Sequence, residues 1–224
     1  YYTQGHYQET EPFELQAEHT VSRAMKWFDE AGILLEEGKR GMQEGFGTEI
    51  YPDGTRRRTF NIRDDCMGEV GMMYAMDYVK NRTERSKQIA GNLFSYCYDY
   101  MQCKEKGPFH GMVGWTDSAW GVCYTHDTAR LIVGELLQNL YLGTDTHMQE
   151  IQDALDYLIR TSGSDGLRAR RLDNVNLDEE KIRQIHSSPC DDPEPGDAYF
   201  FMALLIFYKI TGLERYREAG VRGF

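Results

Sequence analysis

The lengths of the connections between helices constrain the fold of this chain most strongly. Apolar residues recur at three- and four-residue spacing in seven long segments, which predicts seven helices. Tight turns and long Gly-rich loops alternate between them. The predicted helices cover residues 13–38, 64–80, 84–103, 127–142, 146–161, 197–211 and 213–224, with a short extra helix at 178–186. The tight turns lie at 81–83, 143–146 and 211–212, and the long loops at 39–63, 104–125 and 162–195.

This alternation predicts a series of helical hairpins. Helices joined by a tight turn pack as antiparallel neighbours, and loops longer than about 12–15 residues in a compact domain are usually functional. We therefore predict an all-α fold, a partial α/α toroid with its three long loops at one end and a small β-hairpin near 48–62. A four-helix bundle accounts for the helices but not for the loops. Residues 1–224 are interpreted as a single domain of this type, part of a longer one.

Charge and hydropathy exclude several classes of protein. Acidic residues number 36 and basic residues 25, a net charge of −11, which argues against binding to nucleic acid through phosphate contacts. The longest apolar run, 198–208, is shorter than the roughly 20 residues of a membrane span. The chain begins without Met and without an apolar leader, so we interpret it as soluble and processed or partial, either cytoplasmic or exported with its signal removed. Five cysteines without a CxxC pair predict free thiols, and we predict neither a metal nor a cofactor.

The first long loop and the start of the second helix carry three candidate acids. Glu44 lies between glycines in GMQEGF, where a ligand can approach the backbone closely, although a solvated loop acid is an equal alternative. Asp64 and Asp65 open the second helix, and one of them is expected to act as its N-cap. A cap requires a single acid, so we expect the other to point toward the loops.

The second long loop has the densest set of unusual side chains. A capped helix with aromatic residues packed beneath it explains some of them, because Asp127 is a natural N-cap that can pair with Arg130. Aromatic rings beside carboxylates are also typical of a carbohydrate cleft, in which rings stack on sugars and an acid protonates the glycosidic oxygen. The candidate residues of this loop are Trp115, Asp117, Trp120, Tyr124, Asp127 and Arg130.

The third long loop contributes arginines. Arg168, Arg170 and Arg171 suit a carboxylate or sulfate group on a substrate, and we include Arg170 among the candidate substrate-binding residues. Arginines in an acidic protein more often pair with its own acids on the surface. The run 186–190, HSSPC, is a weak candidate for a nucleophile because its spacing fixes no orienting acid.

The order of these features resembles that of the six-hairpin glycosidases, which are (α/α)6 toroids. The similar segments are GMQEGF, YPDGTRRR, RDDCMGEVGMMYAM, WTDSAWGVCYTHDTARLIVGELL and FFMALLIFYKITGLERY. In such enzymes, acids in the loops at one end of the toroid serve as acid and base. The resemblance therefore implies catalytic roles for Asp65, Asp127, Glu44 and Asp117, with Asp64 contacting the substrate. A full toroid has twelve helices, whereas this chain supplies about seven.

Three functions fit this sequence. The first is a glycoside hydrolase or a related enzyme acting on an oligo- or polysaccharide. The second is a non-catalytic sugar-binding or scaffold protein, in which the acids only cap helices. The third is a sugar epimerase or isomerase, which usually relies on a histidine pair; His110, His126 and His186 are the histidines in the long loops. We also expect an exposed apolar flank near the sixth helix, and therefore self-association or low stability.

Overall fold

The computed structural model describes residues 12–193 and 197–224, so the end of the third long loop, at 194–195, lies outside the described residues. Within these ranges the chain is mainly helical, which confirms the predicted fold class. The α-helices are α1 (Phe13–Glu30), α2 (Asp64–Asn81), α3 (Glu84–Tyr96), α4 (Thr125–Leu142), α5 (Met148–Arg160), α6 (Glu179–Ser187), α7 (Ala198–Thr211) and α8 (Glu214–Gly223). The strands are β1 (Gln43–Ile50), β2 (Arg56–Ile62), β3 (Val122–Tyr124) and β4 (Arg171–Asp173).

Helices α2, α4 and α7 form one layer in which all three run in the same direction. α4 packs against both α2 and α7. At its start, Thr128 donates to Asp64 at the start of α2, and Arg130 lies over the ring of Tyr199 at the start of α7. Helices α3 and α8 return behind α2 and α7. The long loops therefore gather at the end where α2, α4 and α7 begin, as the alternation of connections predicts.

Two glycines allow α2 and α4 to approach closely. A Cβ atom at Gly68 would lie 2.4 Å from the Cα of Leu131, and one at Gly134 would lie 2.5 Å from the carbonyl oxygen of Gly68. The ring of Phe94 from α3 fills the space beside Gly71 and Gly134. The backbones of α2 and α4 are therefore in contact here, and this contact fixes how their first turns lie relative to each other.

The predicted hairpin is present, and a second small sheet was missed. β1 and β2 pair antiparallel with irregular register, covering the predicted region 48–62 and extending it toward Gln43. β3 and β4 also pair antiparallel, and so join the second long loop to the third. Each has only three residues, too few for a recognisable alternating pattern. The expectation of a single hairpin is corrected accordingly, and the all-α fold class stands.

Two predicted helices are shorter than expected. The first ends at Glu30 rather than 38, because Gly32 adopts φ +65° and the chain turns so that Ile33 enters the core. The third regular helix ends at Tyr96, and a π-helical turn, Cys97–Met101, replaces the predicted continuation to 103. Both segments keep helical apolar spacing beyond the point where tertiary packing ends the helix.

The apolar residues along α7 suggest that it is buried on all sides, but it is not. One face is packed in the core, whereas Tyr199, Met202, Leu205 and Ile210 are about two-fifths exposed. The described residues include no helix that is both long and apolar enough to cross a membrane. Because this apolar face is exposed, we still predict that the chain associates with itself. Sedimentation showing dimers or larger species would support it, and a stable monomer at high concentration would contradict it.

An acid and a histidine are paired in the interior between α4 and α5. Glu135 is fully buried, and its Oε1 lies 2.7 Å from Nδ1 of His147. His147 precedes α5 with φ +52° and lies against the ring of Tyr98. Burial raises the pKa of Glu135 from 4.5 to about 7. Burial alone would lower the pKa of His147, but its bond to Glu135 raises it overall.

Replacement of Glu135 with Gln is expected to weaken the dependence of stability on pH. Both folded-state pKa values are raised, so their contribution to stability is greatest in acid and declines as pH rises from 4.5, the ordinary pKa of glutamate, past about 7, the raised pKa of Glu135. Free energies of unfolding measured in urea at several pH values should fall less steeply for Glu135→Gln than for the wild type across this window. Equal slopes would contradict the prediction.

Candidate active site

The first turn of α2 begins with an arginine and two acids. Arg63 is the N-cap residue, and Asp64 and Asp65 are the first two residues of the helix. The expectation that one aspartate is the N-cap of α2 is therefore wrong, because that position is held by Arg63, whose side chain accepts no capping hydrogen bond. The backbone N–H of Asp64 donates instead to the carbonyl of Trp115, and that of Asp65 to the carboxylate of Asp64.

Asp127 likewise is not the cap of α4. The N-cap is Tyr124, and Asp127 is the third residue of the helix. Its carboxylate is buried and faces α2, where its Oδ2 accepts from Nη2 of Arg63 at 3.2 Å. Its Oδ1 lies 2.6 Å from Nε2 of His126. Asp127 therefore joins the acids of α2.

The guanidinium of Arg63 lies at the centre of three carboxylates. It donates to both oxygens of Asp65 at 3.0 and 2.9 Å, and its Nη1 donates to Oε1 of Glu44 at 3.1 Å. With Asp127, this brings together three of the four predicted catalytic residues. We call Glu44, Asp65, Asp127 and Arg63 the carboxylate cluster. Its residues come from β1, α2, α4 and the junction before α2.

Asp64 lies beneath the carboxylate cluster and has no exposed surface. Burial, together with the charges of Asp127 and Asp65, raises the pKa of Asp64 well above its ordinary range. Burial, then the charge of Asp65, raises the pKa of Asp127 as well, whereas His126 and Arg63 oppose that rise. Burial between the helices therefore favours the neutral form of Asp64, and Asp127 holds a proton more strongly than an exposed aspartate.

The three aspartates have the spacing of a cation site. One oxygen from each of Asp64, Asp65 and Asp127 lies within 4.8 Å of the others. However, Asp65 accepts from two guanidinium groups, those of Arg63 and Arg130, and burial favours the protonated form of Asp64. Arginine side chains already supply the positive charge that this cluster requires.

Arg130 pairs with acids of α2, whereas the sequence predicts a pair with Asp127. Its Nη1 donates to Asp65 at 3.0 Å, and its Nε lies 3.0 Å from Glu69. The guanidinium also lies over the ring of Tyr199, 5.5 Å from its centroid. The side chain faces across to α2, which places both acids within its reach. Arg130 therefore links all three helices of the layer beside the carboxylate cluster.

Aromatic rings flank the carboxylate cluster, as the sequence predicts. Trp115 is half-buried, with Arg63 over its ring at 5.5 Å and Tyr124 beside it at 5.0 Å between centroids. Arg170 is exposed and lies 5.9 Å from the ring centroid of Tyr124. Trp120 is 40% exposed. Arginines thus already cover the rings of Trp115 and Tyr124.

Asp117 and Arg168 have contacts that stabilise the loops. Oδ1 of Asp117 accepts from the backbone N–H of Ile62 at 3.1 Å, which fastens the second long loop to β2. Arg168 is fully buried, and donates to hydroxyl oxygens of Thr161 and Thr125 at 2.8 and 2.6 Å. Its burial corrects the suggestion that it binds substrate at the surface. Asp117 remains a predicted catalytic residue, but no described contact joins it to Arg63.

Sequence reasoning missed two members of the site. In the sequence, Arg63 stands out only as the start of the run RDDC, and His126 only as one of three loop histidines. Two features of the sequence could have pointed to them: Arg63 directly precedes two acids, and His126 directly precedes Asp127. Neither specifies a contact, because these pairs form across α2, α4 and β1 in the folded chain.

The neighbouring acids Asp64 and Asp65 are expected to differ in how much stability is lost when each is replaced with asparagine. Asp64→Asn replaces a neutral buried acid with a neutral amide, so the free energy of unfolding at pH 7 should stay within about 1 kcal/mol of wild type. Asp65→Asn leaves Arg63 and Arg130 without a shared anion and should cost about 3 kcal/mol. Urea unfolding of both variants measures the contrast, and equal losses would show that Asp64 is charged.

Comparison with known structures supports the fold. A structure described as a novel alpha-amylase from Clostridium perfringens matches with a TM-score of 0.61 and 13% identity, over 92% of this chain and 52% of that one. A D-mannose isomerase matches with a TM-score of 0.64 and 14% identity, over 97% of this chain and 53% of that one. Both are (α/α)6 toroids. The chain has the fold of part of an α/α toroid. The chain spans about half the length of each of these structures. No protein-family model matches it, and no curated protein matches it in sequence.

Proposed function

We propose that this chain carries acid–base residues of a carbohydrate-active enzyme, a glycoside hydrolase or a related polysaccharide-processing enzyme. The observation that carries the proposal is the convergence of Glu44, Asp65 and Asp127 on Arg63 at the loop end of an α/α toroid. Helix caps scattered over the surface would have favoured a scaffold. Two neighbours with this fold, an alpha-amylase and a D-mannose isomerase, add support for a sugar substrate.

The acids differ in exposure, and the difference suggests their roles. The side chain of Glu44 is 33% exposed and is placed to contact water or a sugar directly. That of Asp127 is 2% exposed, but Nε2 of His126, a side chain 23% exposed, lies 2.6 Å from its Oδ1. His126 is therefore placed to exchange a proton with Asp127 through its Nε2. Asp65, paired with two arginines, supplies fixed negative charge for a developing oxocarbenium ion.

In hydrolysis these roles give a balanced reaction. The Asp127–His126 pair protonates the leaving glycosidic oxygen as the bond from the anomeric carbon breaks. Water adds to that carbon and Glu44 accepts its proton. The raised pKa of Asp127 serves the first step, because a higher pKa leaves more of the acid protonated and available as a proton donor.

The same geometry supports one second candidate, a sugar isomerase. An isomerase moves a proton between neighbouring carbons, and an imidazole held by a carboxylate is suited to that transfer. The observation favouring it is the contact between His126 and Asp127, together with the isomerase among the structural neighbours. Product analysis distinguishes the candidates, because hydrolysis yields shorter sugars and isomerisation leaves the mass unchanged.

The test is an assay of the longest available gene product on a panel of oligosaccharides and free sugars. Where turnover is found, Glu44→Gln is compared with Glu49→Gln. Glu49 lies on the same hairpin but is exposed and pairs with Arg57. Glu44→Gln should lower kcat by about a hundredfold or more, and Glu49→Gln should leave it unchanged. Absence of any sugar turnover or binding would replace the proposal with the scaffold alternative.

A further inference from the structure

Arg63 connects carboxylates from three elements of the chain. Glu44 lies on β1, Asp65 in the first turn of α2 and Asp127 in the first turn of α4. The Arg63 guanidinium contacts all three, at distances from 2.9 to 3.2 Å. Arg130 contacts only Asp65 of these acids among the described contacts, and His126 contacts only Asp127.

One nitrogen of Arg63 bridges the two buried carboxylates. Nη2 donates to Oδ2 of Asp65 at 2.9 Å and to Oδ2 of Asp127 at 3.2 Å. These side chains are 5% and 2% exposed, so water does little to separate their charges. Like charges this close repel strongly in a medium of low dielectric constant, and a shared cation offsets that repulsion.

We propose that Arg63 is the positioning residue of this site, which holds Glu44, Asp65 and Asp127 in one arrangement through its forked guanidinium and its packing on Trp115. The inference rests on the proposed function for its effect on catalysis. Its effect on the carboxylates does not depend on any substrate.

The contacts require an arginine specifically. Five N–H donors in a planar fork allow two parallel bonds to Asp65 and further bonds to Glu44 and Asp127. The planar group also lies over the ring of Trp115 at 5.5 Å, which fixes its orientation from the opposite side. A lysine ammonium in the same place keeps the charge but has only three donors and no plane.

The experiment compares Arg63→Gln and Arg63→Lys with the matched control Arg85→Gln. Arg85 also bridges two carboxylates, those of Asp29 and Glu37, but at a more exposed place on α3. Titration of labelled aspartate carboxyls by NMR follows the pKa of Asp127 without any substrate. Arg63→Gln should raise that pKa by about 1–3 units, because a contacting cation is removed. Arg63→Lys should return it toward the wild-type value, and Arg85→Gln should not change it.

Turnover separates positioning from charge alone. Arg63→Lys should lower kcat by about tenfold or more with a smaller change in KM, since small misplacement of reacting groups slows chemistry strongly. An unchanged Asp127 titration in Arg63→Gln, or wild-type kcat in Arg63→Lys, would overturn the inference. If Arg63→Gln fails to fold, the Lys variant decides by its kcat. If no sugar is turned over, the proposed function fails while the titration still decides the role of Arg63.

Discussion

Gly68→Ala is expected to lower the free energy of unfolding by about 3 kcal/mol, the upper part of the usual range for overpacking. The added Cβ would lie 2.4 Å from the Cα of Leu131 and 2.8 Å from its backbone nitrogen. Backbone atoms cannot rotate away as a side chain can, so α2 and α4 must separate. Because Asp65 and Asp127 lie in the first turns of these helices, the carboxylate cluster should loosen as well.

Gly91→Ala provides the matched control in urea unfolding. Gly91 is also inside a helix, α3, but a Cβ atom there meets no atom within 4 Å. This substitution should raise the free energy of unfolding by up to about 1 kcal/mol, because alanine favours helix more than glycine does. A Gly68→Ala variant as stable as Gly91→Ala would contradict the close approach of α2 and α4 at Gly68.

Asp127→Asn is expected to lower kcat by about a hundredfold or more on whichever sugar the enzyme turns over. The amide keeps the size of the side chain but has no acidic proton to transfer. The pH profile should change too, because the raised pKa of Asp127 places one limb of the wild-type profile above the range of an ordinary aspartate. That limb should disappear in the variant.

The control for Asp127 is an aspartate that does cap a helix. Oδ1 of Asp178 accepts from the backbone N–H of Lys181 at 2.7 Å at the start of α6. Asp178→Asn should leave kcat unchanged and alter stability by less than about 1 kcal/mol, because asparagine is also a good N-cap. Full activity in Asp127→Asn would show that Asp127 only holds Arg63 and His126 in place.

The helices of this fold were predictable because their signals are local. Apolar spacing, glycines and tight turns identified α2, α4, α5 and α6 to within a few residues. The end of α1 was not predictable, since the segment after Glu30 keeps helical spacing while packing turns Ile33 into the core. The β3–β4 pair was missed for a related reason, because its strands are short and lie far apart in the chain.

The types of residue in the candidate site were predictable, and their partners were not. The sequence identifies candidate acids by their place in long loops or at helix starts. Three of them converge on Arg63, namely Glu44, Asp65 and Asp127. The sequence also suggested capping for the aspartates and a pair between Asp127 and Arg130. Both suggestions failed because the close packing of α2 and α4 offers these groups partners across the helix interface, which local spacing cannot reveal.

The common direction of α2, α4 and α7 has an electrostatic consequence for the loop end. Each helix carries a backbone dipole equivalent to about half a positive charge at its N-terminus. Asp65 and Asp127 lie in the first turns of α2 and α4, and α7 begins beside Arg130, so the backbone itself creates a positive potential where the acids lie. The opposite end of the layer has the reverse potential. The direction of these helices therefore favours anionic groups at the loop end, whatever side chains lie there.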